Sequence, residues 1–339
     1  MKFGIIGLGS IGKRHGRNLI ALGVQPSDII GVDLREDRRQ EAKEKLNLTK
    51  TVSSIDELCA DKIDCAFICS PTSLHTAHAK QLIQHGVALF IEKPAAHQLD
   101  EELSELAKQI EAKQIKTLVG YVFRFSDHVR HLKALLDQRV IGRILSVRGE
   151  FSEYLPDWHP WEDYRSFYMA KKSMGGGSLL DQSHILDLCH YLFGEIDEVF
   201  AFNGKASQLE VEADDFAEMS VRFKSGLIGS VHQDMFGREH KKFLDIKGEK
   251  GNLFWNVYQL SVTHYDGETK KSKTYTFGTD HNQMYLNQTR HLLDILENKQ
   301  QSLIPLEVGL HTMAVIQAVE RSQAEKRLVK VGEQVAVKS

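Results

Sequence analysis

Residues 1–120 alternate short apolar runs with longer segments in which apolar positions recur at helical spacing. The runs predicted to be strands are Phe3–Gly7, Ile29–Val32, Cys65–Cys69, Val87–Ile91 and Thr117–Val119. The helices predicted between them are Ile11–Leu22, Glu36–Leu46, Ser73–His85 and Leu99–Lys113. Strands that are apolar on both faces and alternate with helices are typical of a parallel sheet covered on both sides. Residues 1–120 are therefore predicted to form a doubly wound α/β domain.

From residue 121 onward the pattern changes to extended segments, several of them joined by tight turns. The extended segments are Ile144–Tyr154, Phe216–Phe223, Leu227–Gln233, Gln259–Tyr265 and Lys273–Phe277. The helices predicted among and after them are Ser178–Phe193, Gln283–Glu297 and Glu307–Glu325. Adjacent strands with glycine-containing turns indicate antiparallel pairing. Residues 121–339 are therefore predicted to form an α+β domain built on an open, mainly antiparallel sheet.

Composition excludes several classes of protein. Lys and Arg total 43 against 46 for Asp and Glu, so there is no basic surplus for phosphate contacts, and nucleic acid is not expected as a partner. The longest apolar runs, such as Gly86–Ile91, fall far short of the roughly 18 residues of a membrane span. The 4 cysteines form no Cys-x-x-Cys pair and no zinc spacing. This usage favours free thiols in the cytoplasm.

A glycine-rich loop follows the first predicted strand and opens the first predicted helix. The segment Gly7-Leu8-Gly9-Ser10-Ile11-Gly12 matches G-x-G-x-x-G in the context that dinucleotide binding requires, the first turn of a Rossmann domain. A turn without a ligand is the alternative. The cofactor contacts predicted here are Gly7, Gly9, Ser10, Ile11 and Gly12.

Asp33 ends the second predicted strand, about 20 residues after the loop, where a carboxylate binds the adenosine ribose and repels a 2′-phosphate. NAD is therefore predicted as the cofactor. The neighbouring Arg35, Arg38 and Arg39 leave NADP as the less favoured alternative.

Three later segments complete a pattern that points to a known family. Glu92-Lys93-Pro94 follows one predicted strand, and Gly120-Tyr121 with Arg124-Phe125 follows the next. Further along the chain, three glycines lead into Asp181, Ser183, His184 and Asp187. With the glycine loop, these segments resemble the glucose–fructose oxidoreductase/inositol dehydrogenase family (Gfo/Idh/MocA) over nearly the whole chain. The resemblance implies a nicotinamide dinucleotide in the first domain. It implies substrate contacts and an oligomer interface, on the outer face of the sheet, in the second.

The resemblance also implies further cofactor contacts at the ends of two strands. These are Ser70, Pro71, Thr72, His75, Glu92 and Lys93. A strand-to-helix turn in which Thr72 or Ser73 caps a helix is a compatible reading. His75 and His78 have a spacing that metal ligands use, but no third ligand is evident, and no metal is predicted.

Lys93, His184 and Asp181 are the predicted catalytic residues. The Lys93 ammonium is expected to stabilise alkoxide character on the substrate oxygen, and a surface lysine paired with Glu92 is the alternative. His184 is expected to exchange the hydroxyl proton, and Asp181 is expected to bind or orient either a substrate hydroxyl or the imidazole. Asp181, His184 and Asp187 are spaced three apart, which predicts one helix face. A buried polar network without catalysis is the alternative. Many family members place the aspartate four residues before the histidine, so the family position falls on Leu180 or Asp181.

Substrate contacts are predicted on both sides of the domain boundary. Residues 155–177 form a long segment rich in aromatic and charged side chains, including His159, and such segments are usually functional. Trp161 suits a sugar ring and Arg165 a carboxylate or phosphate. A segment merely pinned to the domain by its tryptophans is the alternative. The full set of predicted substrate contacts is Lys93, Tyr121, Arg124, Trp161, Arg165, Asp181 and His184. For Arg124, a role that only joins the two domains is the alternative.

The chain is thus predicted to be an NAD-dependent oxidoreductase acting on a secondary alcohol or ketone of a sugar, sugar acid, nucleotide sugar or polyol. It is expected to assemble as a homodimer or homotetramer. A non-catalytic NAD(H)-binding sensor is one alternative, and a reductase of an imine or conjugated double bond is the other.

Overall fold

The computed structural model describes residues 1–158, 160–278 and 280–333, so His159 lies outside the described residues. The chain divides into two compact units. Unit 1 comprises Met1–Val122 and His281–Leu310, and unit 2 comprises Phe123–Asp280 with the described residues from His311 onward. The segment His281–Leu310, which the sequence pattern placed in the second domain, is therefore part of unit 1. It is tied there by long-range contacts such as the hydrogen bond from Lys116 Nζ to the Leu296 carbonyl, 2.9 Å.

Unit 1 is built on a six-stranded parallel sheet in the order β3-β2-β1-β4-β5-β6. Its strands are β1 (Phe3–Ile6), β2 (Ile29–Val32), β3 (Lys50–Val52), β4 (Cys65–Ile68), β5 (Ala88–Ile91) and β6 (Thr117–Val119). The prediction of a doubly wound parallel sheet is confirmed. The edge strand β3 was missed because only Val52 of its three residues is buried, so it has no apolar run.

The helices of unit 1 cover both faces of the sheet. They are α1 (Ser10–Ala21), α2 (Glu36–Leu46), α3 (Ile55–Cys59), α4 (His75–Ile83), α5 (Glu101–Ala112) and α9 (Gln283–Leu296). The strand order reverses between β1 and β4, and ligands of doubly wound sheets bind at the carboxyl ends of strands on either side of such a reversal. The segments after β1, β4 and β5 lie at this edge, and all three carry predicted site residues.

Unit 2 is built on a nine-stranded sheet in the order β14-β13-β12-β11-β7-β10-β9-β8-β15. Its strands are β7 (Ile144–Tyr154), β8 (Ile196–Gly204), β9 (Phe216–Phe223), β10 (Ile228–Asp234), β11 (Phe236–Gly248), β12 (Gly251–Asn256), β13 (Ser261–Asp266), β14 (Lys271–Thr276) and β15 (Val329–Lys330). Among the described residues of this sheet, β7 and β10 are the one parallel pair, so the mainly antiparallel sheet and both predicted hairpins are confirmed. The long strand β11 was missed because several of its outward positions are charged or polar.

The remaining helices are α6 (Asp127–Asp137), α7 (Ser178–Asp181), α8 (His184–Phe193) and α10 (Leu306–Glu325). The single helix predicted from Ser178 to Phe193 is wrong, because α7 ends at Asp181 and α8 begins at His184. The Gln182 side chain donates from Nε2 to the Asp234 carbonyl at 2.8 Å, which anchors the turn between the two helices. Asp181 and His184 therefore do not share one continuous helix face, whereas His184 and Asp187 both lie on α8.

The two faces of the unit 2 sheet differ in exposure. One face buries residues such as Val199, Met219, Val231 and Leu244. The other, called the open face below, carries the residues that pair across β8, β9 and β10, including Phe200, Phe202 and Ile228. Within the described ranges, none of the helices combines the length and apolarity that crossing a bilayer requires.

Candidate active site

The glycine loop has the geometry that dinucleotide binding needs. Gly7 has a φ of +91°, and a Cβ atom there would lie 2.5 Å from the Cys69 carbonyl oxygen. A Cβ on Gly12 would lie 2.0 Å from the Gly7 carbonyl oxygen, so α1 can approach β1 only with glycine at this position. A Cβ on Gly9 meets nothing within 4 Å, which leaves room for a phosphate beside the backbone. Gly9 is the N-cap of α1 and supplies no side-chain cap, and Ser10 and Ile11 open the helix there. The free backbone N–H groups in the first turn of α1 are suited to binding an anion.

Asp33 is held at the carboxyl end of β2 by two backbone groups. Its Oδ2 accepts a hydrogen bond from the Leu8 N–H at 2.9 Å, and its Oδ1 accepts one from the Arg35 N–H at 3.0 Å. The carboxylate is therefore bonded directly to the glycine loop. Arg38 lies 3.8 Å from Asp33 Oδ2, and Arg39 donates to the Asp33 carbonyl at 2.7 Å. Both of these arginines thus have interactions within this segment.

The segment after β4 is ordered by two histidines. The ring nitrogens of the buried His75 lie 3.0 Å from the Ser70 and Pro94 carbonyl oxygens. Burial lowers the pKa of His75. Ser70 Oγ lies 3.0 Å from His78 Nδ1. Pro71 precedes a short 3₁₀ turn that begins at Thr72, and α4 has no side-chain cap. His75 thus joins the loop after β4 to the loop after β5, and His78 contacts the loop after β4.

Lys93 is the second residue after β5, and its backbone is anchored by its neighbour Glu92. Glu92 is buried, and its Oε2 accepts a hydrogen bond from the Lys93 backbone N–H at 3.1 Å. Its other carboxylate oxygen lies 2.7 Å from Nε2 of His15, a residue that sequence reasoning did not single out. Burial acts to raise the pKa of Glu92, but the hydrogen bond and charge of His15, with the charge of Lys93, bring that pKa below its usual value. Glu92 is therefore held as a carboxylate beside Lys93.

Asp181 and His184 lie on either side of the turn that separates α7 from α8. The Tyr168 hydroxyl donates to Asp181 Oδ1 at 2.7 Å, a contact that the sequence pattern did not suggest. The His184 ring packs edge-on against Phe123, with ring centroids 4.9 Å apart. Asp214 caps α7 by accepting from the Leu179 N–H at 2.8 Å and from the Ser178 hydroxyl. Asp181 and His184 are thus held by different neighbours in unit 2: Asp181 by the Tyr168 hydroxyl and His184 by the Phe123 ring.

Arg124 forms a buried ion pair within unit 2. Its guanidinium donates from Nε and Nη2 to the two carboxylate oxygens of Asp187, at 2.9 and 2.6 Å, and it stacks over the Tyr191 ring. Burial raises the pKa of Asp187, and Arg124 opposes that shift. Two guanidinium nitrogens of Arg124 thus donate hydrogen bonds to a carboxylate of the same chain. A substrate contact by Arg124 stays a prediction.

The predicted substrate segment is largely folded onto a small core that it shares with Leu209, Val211 and Met235. Phe167 and Met169 are buried there, and Tyr164 and Tyr168 pack against them. Trp161, by contrast, is 77% exposed. The exposed Arg165 pairs with Asp163 and Glu210. Tyr121, the remaining predicted contact, is fully buried. No cluster of three or more potential metal ligands occurs among the residues that the structure describes.

Two family models match the chain. The oxidoreductase family with an NAD-binding Rossmann fold matches residues 1–121. The GFO/IDH/MocA C-terminal domain matches residues 129–254. The two matches correspond to the parallel sheet of unit 1 and to much of the nine-stranded sheet of unit 2.

Among curated proteins, myo-inositol 2-dehydrogenase of Thermotoga maritima is 27% identical over 350 aligned residues, covering 98% of this chain and 99% of that protein. Levoglucosan dehydrogenase of Pseudarthrobacter phenanthrenivorans is 25% identical over 76% of this chain and 73% of its own length.

Solved structures show the same fold. A levoglucosan dehydrogenase in complex with NADH and levoglucosan superposes with a TM-score of 0.88 at 22% identity, covering 98% of this chain and all of that one. The WlbA dehydrogenase from Bordetella pertussis, in complex with NADH and UDP-GlcNAcA, superposes with a TM-score of 0.81 at 21% identity, covering 98% of this chain and 99% of that one.

Proposed function

Because the chain belongs to the GFO/IDH/MocA family of NAD-binding oxidoreductases, we propose that it transfers a hydride between NAD and a sugar-like substrate. The reacting carbon bears a secondary alcohol or a ketone, and the substrate is a sugar, sugar acid, nucleotide sugar or polyol. The observation that carries the proposal is the placement of Lys93 two residues after the end of β5, at the same sheet edge as the open approach beside Gly9. The relatives named as inositol and levoglucosan dehydrogenases support this substrate class.

In alcohol oxidation the substrate loses a hydride from carbon and a proton from oxygen as the carbonyl forms. Bound NAD supplies the hydride acceptor. Lys93 donates a hydrogen bond to the substrate oxygen and stabilises the negative charge that develops there. His184 accepts the hydroxyl proton, and in the reverse reaction it returns that proton. Asp181, bonded to the Tyr168 hydroxyl, orients a substrate hydroxyl.

NAD is the proposed cofactor in preference to NADP. The Asp33 carboxylate, at the end of β2, accepts a hydrogen bond from the Leu8 N–H, and the Asp33 side chain is only 9% exposed. A carboxylate fixed at this position accepts hydrogen bonds from the hydroxyl groups of the adenosine ribose, and its negative charge repels a 2′-phosphate.

The proposed assembly is a homodimer or homotetramer formed through the open face. Phe202 and Phe200 are 57% and 37% exposed on this face, and their rings pack edge-on against each other. A groove of about 520 Å³ on the same face is lined by polar and apolar side chains that include Arg222 and Ile228. Exposed apolar surface on a sheet is characteristic of contact with another protein surface.

The 4 cysteines are all free thiols, which supports placement in the reducing cytoplasm.

The proposed function is tested by NAD reduction with a panel of polyols, sugars, sugar acids and nucleotide sugars, in parallel with Lys93→Met. We expect turnover on one substrate class, and a loss of at least about 100-fold in kcat in the variant, since a donor to a developing oxyanion is removed. Lys45→Met, on the exposed side of α2, is the matched control and should keep full activity.

Turnover that survives Lys93→Met would refute the assignment of Lys93. NADH binding without turnover across the panel would favour the sensor alternative, which needs neither Lys93 nor His184. Turnover on imines or conjugated double bonds alone would favour the second alternative.

A further inference from the structure

A buried histidine on α1 is joined to the residue that precedes Lys93. His15 is fully buried, and its Nε2 lies 2.7 Å from Oε1 of Glu92, which is itself only 8% exposed. The imidazole packs against Phe67 of β4 and Phe90 of β5, with ring centroids 5.1 and 4.7 Å away, and these two phenyl rings stack on each other. A polar side chain inside an aromatic core is costly unless its hydrogen bond is made. The pair therefore needs an explanation beyond packing.

Both oxygens of the Glu92 carboxylate are used. While Oε1 faces His15, Oε2 accepts the backbone N–H of Lys93 at 3.1 Å. A Cβ on Gly120 would lie 3.0 Å from Oε2, so the glycine after β6 leaves space for this rotamer. The carboxylate thus bridges α1 and the backbone of Lys93.

His15 has a single hydrogen-bonding role among the described residues. Its Nδ1 has no hydrogen-bond partner there, so the ring contributes one bond, from Nε2 to Glu92. His15 lies on the helix that begins at the glycine loop, and it comes three residues after Gly12. The bond therefore runs from the cofactor-binding helix to the carboxylate that holds Lys93.

We propose that His15 is a positioning residue for Lys93. It fixes the Glu92 carboxylate in the rotamer that binds the Lys93 backbone, and it thereby sets the position of the lysine relative to the helix that receives the dinucleotide. This inference rests on the proposed role of Lys93 in hydride transfer. It predicts an effect on the chemical step rather than on cofactor affinity, because His15 does not lie in the glycine loop itself.

The test compares two substitutions of His15. His15→Phe keeps an aromatic ring against Phe67 and Phe90 but removes the donor, and His15→Gln keeps a donor. We expect kcat to fall by about 10- to 100-fold in His15→Phe, since small displacements of a reacting group cost about this much. In His15→Gln most of the activity should be retained, and in both variants the Kd for NADH should stay close to that of the wild type.

The matched control is His128→Phe in unit 2. His128 is also buried, and its Nδ1 accepts a bond from Trp255 Nε1 at 2.6 Å. This variant should lose stability and keep the wild-type kcat. If His15→Phe fails to fold, His15→Asn replaces it, because the shorter amide falls short of Glu92 and should likewise lower kcat.

A measurement that needs no substrate separates this inference from the proposed function. The acylation of Lys93 by an amine-reactive ester is followed by mass spectrometry at fixed pH, relative to the exposed Lys45 in the same digest. The relative rate at Lys93 should rise in His15→Phe and stay unchanged in His15→Gln and His128→Phe. An unchanged rate in His15→Phe would overturn the inference even if the wild type is an active dehydrogenase. Absence of turnover in the wild type would count against the proposed function alone.

Equal losses of kcat in His15→Phe and His15→Gln would also refute the positioning role, since a donor would then make no difference. A large rise in the NADH Kd with normal kcat would instead assign His15 to cofactor binding.

Discussion

Asp33 illustrates how one side chain can serve both the fold and selectivity. Its two carboxylate oxygens accept backbone hydrogen bonds from Leu8 and Arg35, which fixes the orientation of the loop after β2. The same carboxylate places a negative charge where the adenosine ribose of a dinucleotide is expected. Removing the charge should therefore affect cofactor choice and local structure together, and the experiment has to separate the two.

In Asp33→Ser we expect kcat/KM with NADP, relative to that with NAD, to rise by at least about 10-fold, because repulsion between a carboxylate and a phosphate is removed. Initial rates with each cofactor and one fixed substrate give the ratio. Asp37→Ser is the control, since Asp37 is an exposed aspartate on α2 that pairs with Arg35. An unchanged ratio in Asp33→Ser, with a normal melting temperature, would contradict the assignment of Asp33.

At the scale of a single element, the junction of β1 and α1 gives its glycines different tasks. Gly12 lets the helix approach the strand, because any Cβ there would collide with the Gly7 carbonyl. Gly9 faces open space, so its lack of a side chain has no packing purpose within the described chain. Glycine at position 12 thus serves the packing of the helix on the strand, and glycine at position 9 serves the binding of a ligand by the loop.

The variants Gly9→Ala and Gly12→Ala should therefore fail in different ways. Gly9→Ala should keep the wild-type unfolding free energy while its Kd for NADH rises, because the added methyl group occupies the approach to the phosphates. Gly12→Ala should lose about 1–3 kcal/mol of unfolding free energy through overpacking. Urea unfolding and titration of NADH fluorescence measure the two quantities. Unaltered NADH binding in Gly9→Ala would show that the dinucleotide does not pass close to this residue.

On the scale of the whole molecule, the open face of unit 2 is the feature that a single chain does not account for. The opposite face of the sheet is filled by residues such as Val231 and Leu244, which are fully buried. On the open face, phenylalanines alternate along β8 with buried positions. Their exposure is what a self-associating surface would relieve.

Replacing Phe202 by lysine should therefore reduce the molar mass measured by light scattering after size-exclusion chromatography. A charge buried in a symmetric interface would meet its own copy and leave both unpaired. Leu34→Lys is the control, because Leu34 is an exposed apolar residue of unit 1 and its replacement should leave the mass unchanged. A monomeric wild type, or an oligomer that tolerates Phe202→Lys, would contradict an interface at this position.

The sequence by itself determined most of the secondary structure and the glycine loop. Strands such as β2 and β7 and the helix α2 begin and end where the hydrophobic pattern predicts them. Periodicity is a local property, since it depends on which neighbours along the chain share a face. Once the parallel strands are predicted, the candidate residues after β1, β2, β4 and β5 can also be named from the sequence. The carboxyl ends of parallel strands meet at one edge of the sheet, where ligands bind.

Only the tertiary structure decided which distant side chains meet. The turn between Asp181 and His184 depends on a bond from Gln182 to Asp234, a residue in another strand. His15 and Glu92 lie 77 positions apart, and neither the spacing nor the residue types indicate that they pair. Arg124 likewise meets Asp187 through the packing of unit 2. Such contacts arise when buried polar groups find partners within a packed core, and this requirement is expressed in three dimensions rather than along the chain.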